Sequence, residues 1–275
     1  MCARGDWVGA RHAAGDAASL LERPGESDLR LADMARVWGA VAEMHLGRWE
    51  SALACVESLA HDRTAHCEIG PVVLAVRIAG KTSQGEYGNA AALWREASRK
   101  APFAEPLFGL GTGDHGEHAN ASPEGGDVCG EFVSGGNTHD VNDANARRLR
   151  MKPTSRLSDT VDGRSYPTHV CCRAFAAQAL WACGERVEAC VLLELVLGHQ
   201  LQQLGEPGHP LLPAAALAAG ETAARACRVG AFGKKKGRFL LTEAHAFLHE
   251  KAPNVLPFAS SLAARLREVA PAGFL

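Results

Sequence analysis

Aromatic residues make up only 6% of the 275 positions in this chain. Sheet faces favour β-branched and aromatic side chains, so this scarcity counts against an all-β fold. The apolar fraction, 47%, leans on Ala, Leu and Val, which fill the close contacts between neighbouring helices. Net charge is nearly absent too: a formal -2 and a pI near 6.6 supply no overall field for steering onto nucleic acid or an anionic membrane. Long apolar runs are missing, and no stretch reaches the roughly 18 to 20 apolar residues of a membrane span. The first residues carry charges where a secretory signal would have its apolar region, so the expected location is cytoplasmic or nuclear.

Catalytic signatures are lacking as well. No Gly-x-Ser-x-Gly turn occurs, and no cysteine sits in a recognisable Cys/His motif. Gly109-Leu110-Gly111-Thr112-Gly113 is glycine-rich but has no Lys-Ser/Thr after it, so it reads as the start of a linker, not a phosphate cradle. The nine cysteines, Cys2, Cys55, Cys67, Cys129, Cys171, Cys172, Cys183, Cys190 and Cys227, include no Cys-x-x-Cys pair and read as reduced, small core residues. Cys171 and Cys172 are vicinal and point to different faces of a helix. His61-x4-His66-Cys67, and His115-x2-His118 with Cys129 and His139, lack the spacing of a closed zinc site and read as polar loop residues. No metal or cofactor is expected.

What the chain does have is helical periodicity. Residues 1–29 mix Gly, Ala, Asp and Arg, which predicts a flexible segment with a short helix over Ala13 to Glu22, stopped by Pro24-Gly25. Over 30–110 the pattern predicts helical hairpins. Met34, Trp38, Val41 and His45 recur at three- and four-residue intervals, Gly47-Arg48 breaks the run, and Trp49, Ala52, Val56 and Leu59 resume it. A second pair, about Pro71 to Ser83 and Ala90 to Arg99, flanks Gly85. Residues 111–166 lose the periodicity in favour of Gly, Asn, Asp, Ser and His and read as a disordered insertion, acidic from Asp114 to Asp143 and basic from Arg147 to Arg156. Helical hairpins return over 167–270. Phe175, Leu180 and Trp181 precede Gly184, and a helix then runs to about Leu204. Leu211 to Val229 forms the next helix, and Gly230 to Gly237 a turn in which Lys234-Lys235-Lys236, with Arg238, makes a basic patch between helices. Phe239 to Glu250 is the following helix, and Pro257 to Val269 a terminal capping helix.

One frame recurs along this pattern. It reads Gly85-x-Tyr87-x-x-Ala90-x3-Trp94-x2-Ala97-x4-Pro102, then Gly47-x-Trp49-x-x-Ala52-x3-Val56-x2-Leu59, then Gly184-x-Arg186-x-x-Ala189-x3-Leu193-x2-Val196. The frame resembles the second half of a tetratricopeptide repeat, whose period is about 34 residues; Gly47 and Gly85 are 38 apart. The resemblance implies an all-α fold, an α-α superhelix of antiparallel helical hairpins interrupted by the long insertion, with Tyr87, Ala90, Trp94 and Ala97 in its core. It also implies a groove, lined by first helices, that holds a peptide or protein; Arg77, Lys81, Arg173 and Gln178 are the polar residues expected there. The clamp for chaperone C-terminal carboxylates needs Lys and Asn on first helices. Val37, Val41, Ala75 and Ala79 occupy those places, so that ligand is not expected.

A second resemblance lies in Pro207-Gly208-His209-Pro210-Leu211, which is similar to the linker of kinesin light chain repeats and to the C-terminal helical region of SET-and-MYND lysine methyltransferases. The SET signature Asn-His-x-Cys-x-Pro-Asn and the Cys-x-x-Cys pairs of a MYND module are both absent. The leading expectation is therefore a non-catalytic protein-binding scaffold. The alternative is the helical part of such a methyltransferase without its catalytic half, and a third reading is a fragment of a larger repeat protein.

Overall fold

The computed structural model describes residues 6–22, 29–59, 69–99, 167–204, 209–254 and 259–275. Among the described residues every regular element is a helix and no strand forms. In chain order these are α1 (Trp7–Leu21), α2 (Leu29–His45), α3 (Trp49–Glu57), α4 (Gly70–Ser83), α5 (Tyr87–Ser98), α6 (Pro167–Ala182), α7 (Arg186–Leu195), α8 (Leu212–Arg228), α9 (Lys234–Ala246) and α10 (Ala259–Val269). α7 continues through a π turn, Val196–Gln200, to Leu201–Gln203, and α9 through a second one, Phe247–Lys251. The insertion expected over 111–166 lies outside the described residues.

The helices pair as α2–α3, α4–α5, α6–α7 and α8–α9, and each first helix also packs on the first helix of the next pair. The second helices α3, α5 and α7 each touch the following first helix as well. α1 packs on α2 at one end of this series and α10 on α8 at the other. Residues on either side of 100–166 meet directly, because α6 packs on both α4 and α5. A sulfur contact marks that seam, Cys172 Sγ lying 3.0 Å from the Pro71 carbonyl oxygen. The two helical blocks of the sequence are thus parts of one compact unit.

A single backbone device closes all four first helices. Gly47, Gly85, Gly184 and Gly230 have φ of 74, 79, 87 and 73°, a left-handed conformation that glycine adopts without a Cβ penalty. At each, the glycine N–H donates to the carbonyl three residues back and the next N–H to the carbonyl five back. Gly85 bonds to Thr82 at 3.1 Å and Glu86 to Lys81 at 2.9 Å; Gly230 bonds to Cys227 at 3.1 Å and Ala231 to Ala226 at 2.9 Å. Two carbonyls that would be left without a partner at each helix end are satisfied this way.

The second helices then repeat one packing register. Four residues after each N-cap stands a small buried residue, Ala52, Ala90, Ala189 or Gly237, and four later a large one, Val56, Trp94, Leu193 or Leu241. The last hairpin therefore carries the frame too, with two extra residues in its turn and glycine in the alanine slot. A Cβ on Gly237 would come within 2.4 Å of Cys227 Sγ and 3.0 Å of Phe274, so only glycine fits that close approach to α8.

Four expectations need correction. The N-terminal helix begins at Trp7, not Ala13, because Asp6 Oδ1 caps it by accepting from Gly9 N at 2.8 Å. Trp7 and Ala10 are buried against α2, so a packed helix occupies 7–21 of the segment expected to be flexible. Tyr87 is 40% exposed whereas Trp94 is 2% exposed. Tyr87 is the first residue of α5, at the rim of the hairpin, and that rim position also explains why an exposed Arg186 occupies the same slot in α7. Ala97 is only half-buried. Finally, Lys234, Lys235 and Lys236 lie not in a turn but in the first turn of α9, which starts at Gly233 with extended backbone.

Candidate functional site

The four polar residues expected on first helices occupy unlike settings. Arg77 and Lys81 are one turn apart on α4 and both reach the C-terminal end of α3. Arg77 Nη2 donates to the Val56 carbonyl at 3.2 Å, while Lys81 Nζ lies 3.6 Å from Glu57 Oε1 and 3.2 Å from Glu86 Oε2. Hydrogen bonding to Glu86 lifts the Lys81 ammonium above its ordinary pKa. Gln178 is half-buried on α6, and Arg173 is buried. From Val170 to Ala177 α6 is buried without a break, so Arg173 belongs to the interior of the unit.

A tight polar cluster that sequence reasoning missed joins α1 and α2 to the segment just before α8. Trp7 of α1 stacks on His45 at the end of α2, ring centroids 3.9 Å apart. His45 Nε2 lies 3.1 Å from the Pro210 carbonyl oxygen, and Leu211 N lies 3.3 Å from His209 Nδ1, with Trp38 5.5 Å from the His209 ring. Burial pushes the His45 pKa down to about 4, only partly opposed by the bond to Pro210. Burial, with the His45 charge second, pushes His209 down to about 4 as well. Neutral imidazoles in such a setting clasp α2 to the segment before α8. The Trp38–x6–His45 spacing carried a packing signal, but nothing local pointed to a partner 165 residues away.

Nucleophilic and metal chemistry find no assembled site among the described residues. Cys55, Cys171, Cys172, Cys183, Cys190 and Cys227 are free, and burial raises the pKa of the Cys171 and Cys172 thiols far from the reactive thiolate range. No group of three or more His, Cys, Asp or Glu side chains among the described residues is placed to hold a metal. The candidate ligands His61, His66, Cys67, His115, His118, Cys129 and His139, and the Gly109–Gly113 run, lie outside them. An open cleft of about 150 Å³ beside Leu201, Glu243, Phe247 and Glu250 is smaller than the roughly 300 Å³ lower bound for ligand pockets. No described helix is long and apolar enough to cross a membrane.

The remaining concentration of chemistry is the end of the α8–α9 hairpin. Arg225 and Arg228 stand in the last turn of α8, and Lys234, Lys235, Lys236 and Arg238 open α9. Against this geometry, comparison with known proteins is silent: no family model, no curated protein and no solved structure matches the chain.

Proposed function

We propose that the chain is a non-catalytic helical-repeat scaffold of the tetratricopeptide kind that binds a peptide or protein partner. The observation supporting this reading is the fourfold repetition of one glycine turn and one buried register at Gly47, Gly85, Gly184 and Gly230. Units that repeat their backbone and core while changing their surfaces cannot bury an apolar face singly. Stacked, they leave an extended surface for recognition. Arg77, Lys81 and Gln178 are the first-helix residues that retain exposure for this role, and Arg173 leaves that set because it is buried. Free thiols throughout the described residues suit a reducing compartment, cytoplasmic or nuclear.

Affinity capture with the intact chain tests the reading. A partner that survives deletion of 114–164 and is lost with the pair Lys81→Glu and Gln178→Glu is the expected result. Loss on deletion with no effect of the pair would move recognition to the insertion. Titration with S-adenosylmethionine addresses the methyltransferase-like alternative, and saturable binding would favour it over the scaffold.

A further inference from the structure

The near-neutral composition hides a local charge. From Thr222 to Thr242 the chain has six cations, Arg225, Arg228, Lys234, Lys235, Lys236 and Arg238, and no Asp or Glu. Two have a use within the fold: the Arg228 guanidinium donates to the Val269 carbonyl, and Lys236 meets the Glu194 carboxylate. Arg225 and Arg228 also complement the negative end of α8. The lysines stand at the opposite kind of end. α9 opens on three consecutive lysines with no acidic residue in its first turn and no side-chain cap from Gly233, so each opposes the positive end of the helix dipole. Successive helical residues are about 100° apart, which spreads the three ammonium groups over more than half of the helix circumference. Arg225, Lys234, Lys235 and Arg238 are exposed and make no ion pair among the described residues. Exposed apolar side chains flank these cations, Val229 at 57% just after α8 and Phe239 at 45% in the second turn of α9.

We infer that this hairpin tip docks on an anionic lipid surface, with the cations among the headgroups and Val229 and Phe239 at the headgroup boundary. Clusters of four to eight Lys and Arg next to apolar side chains have the composition that anionic bilayers attract. Shape favours a plane over a peptide: the cations surround two helix ends and the short turn between them, whereas a peptide needs a groove, and the cleft beside Phe247 is lined by Glu243 and Glu250. Lysine, a compact charge on a flexible stem, matches mobile headgroups without the fixed fork that arginine brings to a carboxylate. A phosphate backbone of nucleic acid would use the charges but gives Val229 nothing to contact.

Co-sedimentation of the intact chain with phosphatidylcholine vesicles, with and without phosphatidylserine, tests the inference. Binding is expected only with phosphatidylserine and should weaken as salt rises. The triple variant Lys234→Gln, Lys235→Gln, Arg238→Gln should bind on the order of a hundredfold more weakly, each charge near an anionic surface being worth about fivefold. The pair Val229→Ser and Phe239→Ser should bind more weakly with the same salt dependence. All five positions are surface ones, and unchanged helical circular dichroism separates lost docking from lost folding. Three results would each overturn the inference: no phosphatidylserine-dependent binding at low salt, equal binding by a folded triple variant, or binding to polyglutamate or to RNA without vesicle binding. Partner capture through α4 and α6 is read separately and does not depend on this outcome.

Discussion

At Gly85 and at Gly230 the chain makes the same pair of turn hydrogen bonds, yet the side chains around the two turns obey opposite rules. Around Gly85 the charges cancel. Lys81 sits between Glu57 and Glu86, and Asn89 donates to Glu86 Oε2 at 2.9 Å. That bond and the Lys81 ammonium hold the Glu86 carboxyl below its ordinary pKa. Around Gly230 six cations gather in a segment without an acid of its own, only Lys236 finding a carboxylate, Glu194 of α7, and three of them stand at a helix end that repels them. The turn device is therefore a property of the backbone and the glycine, indifferent to its surroundings. What decorates it is free to vary, and where the decoration works against the local helix, folding is not its explanation.

The equivalence of the two hairpins can be broken first in their cores. Trp94 and Leu241 occupy the same slot and are both fully buried, so Trp94→Ala should cost about 3–5 kcal/mol and Leu241→Ala about 2–5 kcal/mol in urea unfolding. Tyr87→Ala, at the rim, should cost less than about 1 kcal/mol. Comparable losses at Tyr87 and Trp94 would dissolve the distinction between slot and rim.

Acid should act at neither turn but at the clasp between His45 and His209. The fold holds His45 and His209 neutral with pKa values about 4, below the ordinary 6.5, so the unfolded chain takes up their protons first. Their contribution is complete above pH 6.5, falls as pH drops from there toward 4, and is spent below. At most it amounts to roughly 3 kcal/mol per histidine. Unfolding of the native chain and of a His45→Gln, His209→Gln variant should differ along that window. A difference independent of pH would show that the clasp does not titrate as described.

Two smaller tests sharpen the comparison. Gly237→Ala should destabilise by about 1–3 kcal/mol because its Cβ meets Cys227 and Phe274, while Gly15→Ala, with open space around it in α1, should stabilise by about 0.5–1 kcal/mol. Lys235→Glu should raise thermal stability by about 0.3–1 kcal/mol, and Glu86→Lys should lower it. A destabilising Lys235→Glu would mean that the lysines do not oppose their own helix.

Much of the helical order was legible in the sequence because its signals are local. The Gly-x4-Ala-x3-apolar frame located three of the second helices, and their small and large slots are buried as that spacing requires. The fourth is expected as a helix only from Phe239 and outside the frame, because two extra residues shift it relative to Gly230 and glycine replaces alanine at 237. The same shift put Lys234 to Lys236 in a turn on paper and in a helix in the molecule. Tyr87 misled because an aromatic at the first helical position looks like one inside the stripe. The clasp between His45 and the segment at 209–211 had no local signal at all; it exists only once the helices between them have stacked. All four expected groove residues stand on first helices, Arg77 and Lys81 on α4 and Arg173 and Gln178 on α6, but the partners of the first two on α3 and the burial of Arg173 depend on packing that spacing does not encode.

The seam where α6 meets α4 and α5 has one more consequence. The chain leaves at Arg99 and resumes at Pro167 in the neighbouring layer, held there by packing, by Cys172 against Pro71 and by Arg95 at 3.1 Å from Glu185 and 3.4 Å from Glu188. Loop-closure entropy rises by only about 0.6 kcal/mol for each doubling of length, so the length of what spans 100–166 matters little to the joining of the two sides. Residues 1–100 and 167–275, produced as separate polypeptides, should find each other and reconstitute the stack at micromolar concentration or above, where mass action replaces the tether. The second and third hairpins behave, in that sense, as a heterodimer whose subunits share a single gene product.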